Sequence, residues 1–196
     1  MSARQEGREE PTRDRILKAA VEIFAEKGYH GAGMTELGDA ADIRRGALYY
    51  HIGSKEELLF DLCKRHVEVA LERGRQAVAR SGEAREQFVA LVREHVHTLA
   101  DRRADVVVAE REMHALTGDR AVQLTKLRRE YQDLFTSVLE LGVSQGQFSR
   151  AEPLDVMGVL GLLNYTYMWL DPQGPVPLDD VADRLSGLLM DGLDVR

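Results

Sequence analysis

Cysteine and long apolar runs are both scarce in this chain of 196 residues. Cys63 is the only cysteine, which excludes an intrachain disulfide bond and removes any need for an oxidising compartment. The longest apolar run, residues 156–170, contains Asn164 and is shorter than the roughly 20 residues that a membrane-spanning helix needs. The N-terminus is polar and charged, unlike a signal peptide. We therefore expect a cytoplasmic protein without a membrane partner.

Positive charge is also in deficit, because the formal net charge is −7. This balance argues against a protein that coats nucleic acid regardless of sequence, since such binding depends on net positive charge. Acidic and basic residues are nevertheless equal in number over residues 1–55, so the deficit lies in the remainder. Residues 44–55 contain three cations and no carboxylate. The distribution predicts contact with phosphate at one local surface.

No stretch of the chain alternates polar and apolar residues between turns, as a half-buried β-strand does. Apolar residues recur instead at helical spacing, for example at Ile16, Ala20, Ile23 and Phe24. The pattern predicts an all-α protein of about nine helices. A polar leader without regular structure is expected over residues 1–10.

The segment "RRGALYYHIGSKEEL", residues 44–58, places arginine, tyrosine and histidine on a short helix that follows another short helix. Two such helices joined by about three residues are typical of a helix-turn-helix, whose second helix enters the major groove of DNA. Leu48 and Ile52, four residues apart, would hold this helix against the first one. The segment therefore predicts a DNA-binding surface. A solvated basic helix face with packed tyrosines is the alternative.

Residues 15–59, "RILKAAVEIFAEKGYHGAGMTELGDAADIRRGALYYHIGSKEELL", resemble the N-terminal domain of TetR-family transcriptional regulators almost without gaps. The resemblance implies a three-helix DNA-binding domain over residues 11–54 and a larger helical domain for effector binding and dimerisation over residues 55–196. It also implies which positions contact DNA. The base-reading positions are Arg44, Arg45, Gly46 and Tyr50, and the positions that contact the DNA backbone are Thr35, Tyr49, His51 and Lys55.

Some positions in this segment depart from the family pattern. Asp42 stands where the family usually has glycine in the turn, and aspartate tolerates a left-handed backbone better than most residues. Ala47 replaces a common threonine and loses one phosphate contact. Ala32 and Gly33 replace the usual Thr/Ser pair, so we expect a weak N-cap on the second helix.

A helix-turn-helix regulator commonly reads DNA with two copies of the reading helix, about 34–36 Å apart, so the resemblance implies a homodimer. The two C-terminal helices are the candidates for its interface. Residues 156–170 are apolar nearly all round, more than a terminal helix needs for one core, although an internal core is the alternative. The expected interface residues are Met157, Leu160, Gly161, Asn164, Met168, Val181, Leu185 and Leu188.

The resemblance also implies that the helices between these two parts enclose an effector cavity, mostly apolar with a few polar anchors. The segment "WLDPQGPVPLDDVA", residues 169–182, is similar to a feature of TetR-family regulators of lipid, steroid or acyl-CoA catabolism. This similarity implies a long acyl-CoA thioester, with the Arg128–Arg129 pair as one candidate for its phosphates; solvated surface arginines are the alternative. The expected lining residues are His95, Leu99, Met113, His114, Tyr131, Phe135, Tyr165 and Trp169.

Other function classes have less support in the sequence. Glu110 and His114 lie one helical turn apart, but no further ligand has a spacing typical of a metal site. We expect no enzyme activity, no cofactor and no metal. The acidic body disfavours an architectural DNA-binding protein. The predicted function is a dimeric repressor that a small hydrophobic effector releases from a palindromic DNA operator, with a drug-like effector as the alternative to an acyl-CoA.

Overall fold

The computed structural model describes residues 12–194, except for the side chain of Arg45. The leader expected over residues 1–10 lies outside this range. Within the range the chain forms nine α-helices, two 3-10 turns and no β-strand, which confirms the all-α prediction. The helices are α1 (Thr12–Gly31), α2 (Met34–Ala40), α3 (Arg45–Ile52), α4 (Lys55–Val78), α5 (Ala84–Asp101), α6 (Arg103–Glu112), α7 (Gly118–Ser144), α8 (Pro153–Tyr165) and α9 (Leu178–Leu193), and the 3-10 turns are Met113–Ala115 and Thr166–Met168.

The first three helices form a small bundle. Leu37 on α2 and Leu48 and Ile52 on α3 are buried in one apolar cluster with α1. α1 is interrupted at Gly28, whose φ of 75° lies in the left-handed region that glycine adopts without strain. This break ends the regular part of α1 and directs the chain into α2.

The core of this bundle continues into the rest of the chain. Cys63 on α4, Val108 and Ala109 on α6 and Leu124 on α7 belong to the same buried cluster as the α1 residues. The burial of apolar surface, at about 25 cal/mol per Å², favours keeping α6 packed against α1. The expected domain boundary near residue 54 falls at the short break between α3 and α4, and the apolar core crosses it.

A second core lies between α5, α7, α8 and α9. Phe88 and Phe148 are buried there and meet edge to face, with ring centroids 5.9 Å apart. Gly142 on α7 permits this packing, because a Cβ atom at that position would overlap the ring of Phe148. The inward face expected for α5 is confirmed, since all of its residues are buried: Phe88, Leu91, Val92, His95, Val96 and Leu99.

α8 ends before the proline at which the sequence pattern predicted its end. Oγ1 of Thr166 donates a hydrogen bond of 2.7 Å to the carbonyl of Leu163, and the chain continues as a 3-10 turn. A hydroxyl that competes for a helix carbonyl in this way bends or ends the helix. None of the helices in residues 12–194 has the length and apolar character that crossing a membrane requires.

Candidate nucleic-acid interface and effector cavity

The turn between α2 and α3 fixes the angle at which α3 leaves the bundle. The backbone N–H of Ile43 donates a hydrogen bond of 2.8 Å to Gly38, and that of Asp42 donates one of 3.1 Å to Asp39. Asp42 has a φ of 54°, and no other non-glycine residue within residues 12–194 has a positive φ. Aspartate adopts this conformation at modest cost. The replacement of the family's glycine therefore leaves the turn intact, as predicted.

The outer face of α3 is exposed to solvent. Tyr50 is 87% exposed, Tyr49 is 39% exposed, and Arg44 at the N-cap is exposed as well. No atom lies within 4 Å of the place that a Cβ on Gly46 would occupy, so another molecule can approach the backbone there. The backbone of Arg45 begins α3, while its side chain lies outside the description. Exposed polar side chains and an open backbone are what base-edge contacts in a major groove require.

The C-terminal end of α3 is anchored by Arg13 of α1, which no sequence pattern indicated. Nη1 of Arg13 donates a hydrogen bond of 2.7 Å to the carbonyl of His51, and Nη2 forms an ion pair with Asp61 on α4. A cation at a helix C-terminus also interacts favourably with the helix dipole. Arg13 therefore joins α1, α3 and α4 at one point, next to the half-buried side chain of His51.

Lys55, which the resemblance assigned to the DNA backbone, makes its contacts within the chain. Its ammonium group donates a hydrogen bond of 2.6 Å to the carbonyl of Ala32 and lies 4.7 Å from the ring centroid of Tyr29. Partial burial lowers the pKa of Lys55. Thr35 is exposed near the start of α2, whose N-cap residue Gly33 makes no side-chain hydrogen bond, as predicted. A phosphate oxygen can therefore reach Thr35 more freely than Lys55.

A cavity of about 290 Å³ lies inside the larger part of the chain. Five helices, α4 to α8, contribute to its wall, so an occupant would contact all of them. Of the residues expected in the lining, His95, Leu99 and Tyr131 do line it. The polar residues that line it and were not expected there are His66, Thr98, Glu110, Arg128, Gln132 and Asn164.

Four of the residues expected in the lining lie outside this cavity. Met113 and His114 line a separate groove beside α7, because the chain leaves α6 in a 3-10 turn that carries them past the cavity. Trp169 lies beside the loop that follows α8, and Tyr165 is 63% exposed on the outer side of α8. The early end of α8 separates both aromatic residues from the cavity wall.

Two histidines form the innermost polar part of the wall. Burial lowers the pKa of His66 and that of His95 from 6.5 to about 4, so both imidazoles are neutral at pH 7. For His95, the neighbouring His66 adds to this lowering of the pKa and the Leu163 carbonyl opposes it. Nδ1 of His66 and Nε2 of His95 are both buried, and neither has a hydrogen-bond partner among the described residues.

Tyr131 fixes the orientation of His95. Its Oη lies 2.9 Å from Nδ1 of His95, and the two rings are stacked. Burial raises the pKa of Tyr131, so the phenol keeps its proton. Donation of that proton to Nδ1 satisfies both groups and places the proton of His95 on Nε2. Phe135, also expected in the lining, lies one turn further along α7 and packs against Tyr131 from the second core, with ring centroids 5.5 Å apart.

An ion pair in the wall connects α6 with α7. Nη1 of Arg128 lies 2.8 Å from Oε1 of Glu110, and the two side chains are 33% and 21% exposed. Because removing one partner of a largely buried pair is costly, a movement of α6 relative to α7 has to carry the pair along or replace its contacts. Arg128 and Gln132 also line the groove beside α7, so the groove and the cavity are neighbours.

The cavity wall offers hydrogen bonds more than reactive groups. His66, His95 and Glu110 share the wall, but no three His, Cys, Asp or Glu side chains within residues 12–194 have the geometry of a metal site. Burial raises the pKa of the Cys63 thiol to about 12, so the nearby sulfur is not an ionised nucleophile. The arrangement is that of a binding site for a small, mostly apolar molecule.

α8 presents an apolar face to solvent. Met157 is 62% exposed and Met168 is 54% exposed, and Leu188 on α9 is 62% exposed. Gly161 is exposed between the two methionines. A continuous apolar surface of this kind marks an interaction site. The other residues expected at the interface are half-buried: Leu160, Asn164, Val181 and Leu185.

Comparison with known proteins identifies the family. Residues 16–62 match the family "Bacterial regulatory proteins, tetR family", and residues 81–193 match "Tetracyclin repressor-like, C-terminal domain". The chain is 29% identical to the HTH-type transcriptional repressor KstR2 of Rhodococcus jostii (strain RHA1) over 186 residues, 92% of this chain and 90% of the relative. It is 25% identical to the fatty acid metabolism regulator protein of Bacillus subtilis (strain 168) over 141 residues, 72% of each chain. It shares the fold of AibR, solved in complex with isovaleryl coenzyme A and operator DNA, with a TM-score of 0.83 and 24% identity over 91% of this chain and 98% of that one. This chain therefore belongs to the TetR family of bacterial transcriptional regulators.

Proposed function

We propose that this chain is a homodimeric repressor whose α3 helices read a palindromic operator and which a coenzyme A thioester releases from DNA. The observation that carries the proposal is the exposed outer face of α3 on a helix that the bundle holds in place. Base-edge contacts would give sequence preference and phosphate contacts would set the register. The proposed base-reading residues are Arg44, Arg45, Gly46 and Tyr50, and the proposed backbone-contacting residues are Thr35, Tyr49 and His51.

A second copy of the chain would supply the other reading helix. Two half-sites one helical turn apart, about 34–36 Å, need a dimer that sets this distance. The apolar face of α8 around Met157 and Met168, together with Leu188 of α9, supports pairing through these two helices. Gly158 and Gly161 support it as well, because a Cβ at either position would meet nothing within 4 Å in one chain. A partner helix could approach closely there.

The relatives and the cavity support an acyl-CoA as the effector. The Bacillus subtilis relative is named for fatty acid metabolism, and AibR holds isovaleryl coenzyme A on the same fold. The lining of the cavity, with Val67, Leu99 and Leu160, suits the hydrocarbon part of an acyl group. The neighbouring groove carries Arg128 and Arg129, whose guanidinium groups suit phosphate oxygens.

The position of the cavity supports a route from the effector to DNA. His66 lies on α4, the helix that follows the helix-turn-helix, and Glu110 lies on α6, which packs against α1. A ligand that fits best when α4 and α6 move apart would favour a different distance between the two reading helices. Release can then go only as far as the ligand prefers that arrangement over the DNA-bound one.

Binding to the DNA that flanks the gene of this chain tests the proposal. Fluorescence anisotropy at fixed salt, with excess competitor DNA, is expected to show specific binding that a coenzyme A thioester reverses. Arg44→Ala is expected to weaken this binding by about tenfold or more, since one base contact contributes about 1–3 kcal/mol. Arg80→Ala, which changes an exposed arginine beyond the end of α4, is the matched control.

Two outcomes would change the proposal. Specific binding that no thioester reverses would retain the DNA-binding regulator and assign it a different hydrophobic effector. Binding that competitor DNA abolishes, with no difference between Arg44→Ala and Arg80→Ala, would contradict the reading role of α3.

A further inference from the structure

The two cavity histidines have an unmet requirement for hydrogen bonds. Nδ1 of His66 and Nε2 of His95 are buried without a partner among the described residues, and their side chains line the same cavity. The two residues are only 8% and 5% exposed, so bulk solvent reaches them poorly. Buried polar atoms in folded proteins are almost always hydrogen-bonded, and an unpaired one costs free energy. An occupant of the cavity is placed to supply the missing partner.

The chemistry of that partner follows from the protonation of the site. Each neutral imidazole offers one N–H and one lone pair, and the bond from Tyr131 places the N–H of His95 on Nε2. An uncharged oxygen with two lone pairs complements such donors. An ionised carboxylate suits the wall less well, because the cation Arg128 is already paired with Glu110 and the cost of burying a free charge is high.

The volume of the cavity limits the size of the acyl group. A methylene group fills nearly the same space as a water molecule in the liquid, about 30 Å³. A cavity of about 290 Å³ therefore holds on the order of ten non-hydrogen atoms. An acyl group of about eight carbons with its oxygens fits this space, whereas a chain of about sixteen carbons exceeds it. The cavity thus favours a shorter acyl group than the long chain that the sequence similarity implied.

We propose that His66 and His95 recognise a keto or hydroxyl oxygen on a compact acyl effector. The chain would thereby prefer an oxygenated acyl group over the plain hydrocarbon chain of equal length. The inference rests on the proposed function for the coenzyme A thioester class and adds the specificity of the same cavity. A plain chain leaves both imidazoles unpaired or has to share the cavity with water. An oxygenated chain satisfies them, and its contact with His66 acts directly on α4.

Isothermal titration calorimetry of the full chain without DNA measures this preference. The matched ligands are octanoyl-CoA and its 5-oxo, 6-oxo and 7-oxo derivatives, which differ from it by one oxygen. At least one oxo derivative is expected to bind about ten- to a hundredfold more tightly than octanoyl-CoA, because it pairs a buried donor that the plain chain leaves unpaired. Palmitoyl-CoA is expected to bind more weakly than octanoyl-CoA, and tighter binding would overturn the limit on size.

Variants of the two histidines separate recognition from folding. His66→Leu and His95→Leu remove the hydrogen-bonding nitrogens and are expected to lose most of the preference for the oxo ligand. His66→Gln and His95→Gln keep an N–H group and are expected to retain part of it. His97→Leu is the matched control, since His97 lies on the same helix as His95 but pairs with Asp179 outside the cavity. Circular dichroism and thermal melting establish that each variant is folded.

Each outcome decides the inference. Equal affinity of the unmodified chain for octanoyl-CoA and all three oxo derivatives would overturn it, as a water molecule held permanently by the histidines would predict. If no thioester binds to a chain that does bind operator DNA, the inference fails and the regulator function stands. A preference for the oxo ligand in a chain without specific DNA binding would support the inference and contradict the repressor.

Discussion

Arg13 on α1 donates a hydrogen bond of 2.7 Å to the backbone carbonyl of His51, the penultimate residue of α3. The same guanidinium group pairs with Asp61 on α4, so one side chain ties the reading helix to both of its neighbours. The orientation of a reading helix decides whether its base contacts can form together. A residue outside the reading face therefore contributes to DNA affinity.

Substitution of Arg13 by methionine is expected to weaken operator binding by about tenfold, since a hydrogen bond from a charged group contributes about 1.5–3 kcal/mol. The free energy of unfolding should change by less than about 1 kcal/mol, because the ion pair is partly exposed. Anisotropy and urea denaturation measure these two effects. Arg65→Met is the matched control, because Arg65 pairs with Asp14 of α1 at 3.7 Å on the same surface. An equal loss of DNA binding in both variants would argue against an anchoring role for Arg13.

Lys55→Met is expected to lower the free energy of unfolding by about 1–2 kcal/mol. The reason is that the Ala32 carbonyl loses a charged donor and the Tyr29 ring loses its cation. If the ammonium group stays on Ala32 in the DNA complex, the slope of log Kd against log salt concentration will not change. Each lost phosphate contact would instead reduce this slope by about 0.9. A reduced slope in Lys55→Met would restore the backbone contact that the family resemblance implies.

The buried histidines predict that stability depends on pH. The pKa of His66 and that of His95 are about 4 in the folded chain, against 6.5 for a free histidine, so between these values the unfolded chain binds protons that the folded chain does not. The free energy of unfolding is therefore highest above about pH 6.5 and falls as the pH decreases toward 4. With about 1.36 kcal/mol per pKa unit, each histidine accounts for a loss of about 3 kcal/mol across this range.

Urea denaturation across this pH range checks the prediction. Carboxylates destabilise the fold in the same direction, but only as the pH approaches their own lower unfolded pKa of about 4.3. The difference between the unmodified chain and His66→Leu therefore isolates the histidine contribution. His97→Leu should retain the full dependence. A stability that is flat from pH 7 to 5 would show that the two histidines are protonated in the folded chain.

Met157→Glu is expected to shift the chain from dimer to monomer, since it would bury a charge in an apolar interface. Sedimentation velocity at several protein concentrations measures this shift. Val122→Glu is the matched control, because Val122 is an exposed apolar residue on α7, away from the proposed interface. A Met157→Glu chain that stays dimeric, or a Val122→Glu chain that dissociates, would place the interface elsewhere.

Local features of the fold followed from the sequence because they depend on neighbouring residues. The inward positions of α5 repeat every three or four residues, and Leu48 and Ile52 are buried for the same reason. The left-handed turn at Asp42 depends only on that residue's own conformational range. Such features need no knowledge of how distant segments meet.

The cavity could not be found in this way. Its polar wall combines His66, His95, Glu110 and Arg128 from four different helices, and spacing along one helix shows only which face turns inward. It does not show where the inward faces fail to fill the space between them. Tyr165 and Trp169 follow the point where Thr166 ends α8, so an uninterrupted helix gave them the wrong orientation. The contacts of Lys55 depend on the break in α1 at Gly28, which brings the carbonyl of Ala32 within reach.

The burial of Cys63 gives the unmodified chain a chemical reporter of its own. The residue is fully buried in the cluster that joins α1, α4 and α6, and no other thiol competes with it for a reagent. A disulfide reagent can modify this sulfur only during transient openings of the cluster, so the rate of modification measures the free energy of those openings. Operator DNA and effector would each change that rate, and the reaction could be followed by absorbance without attaching a label to the protein.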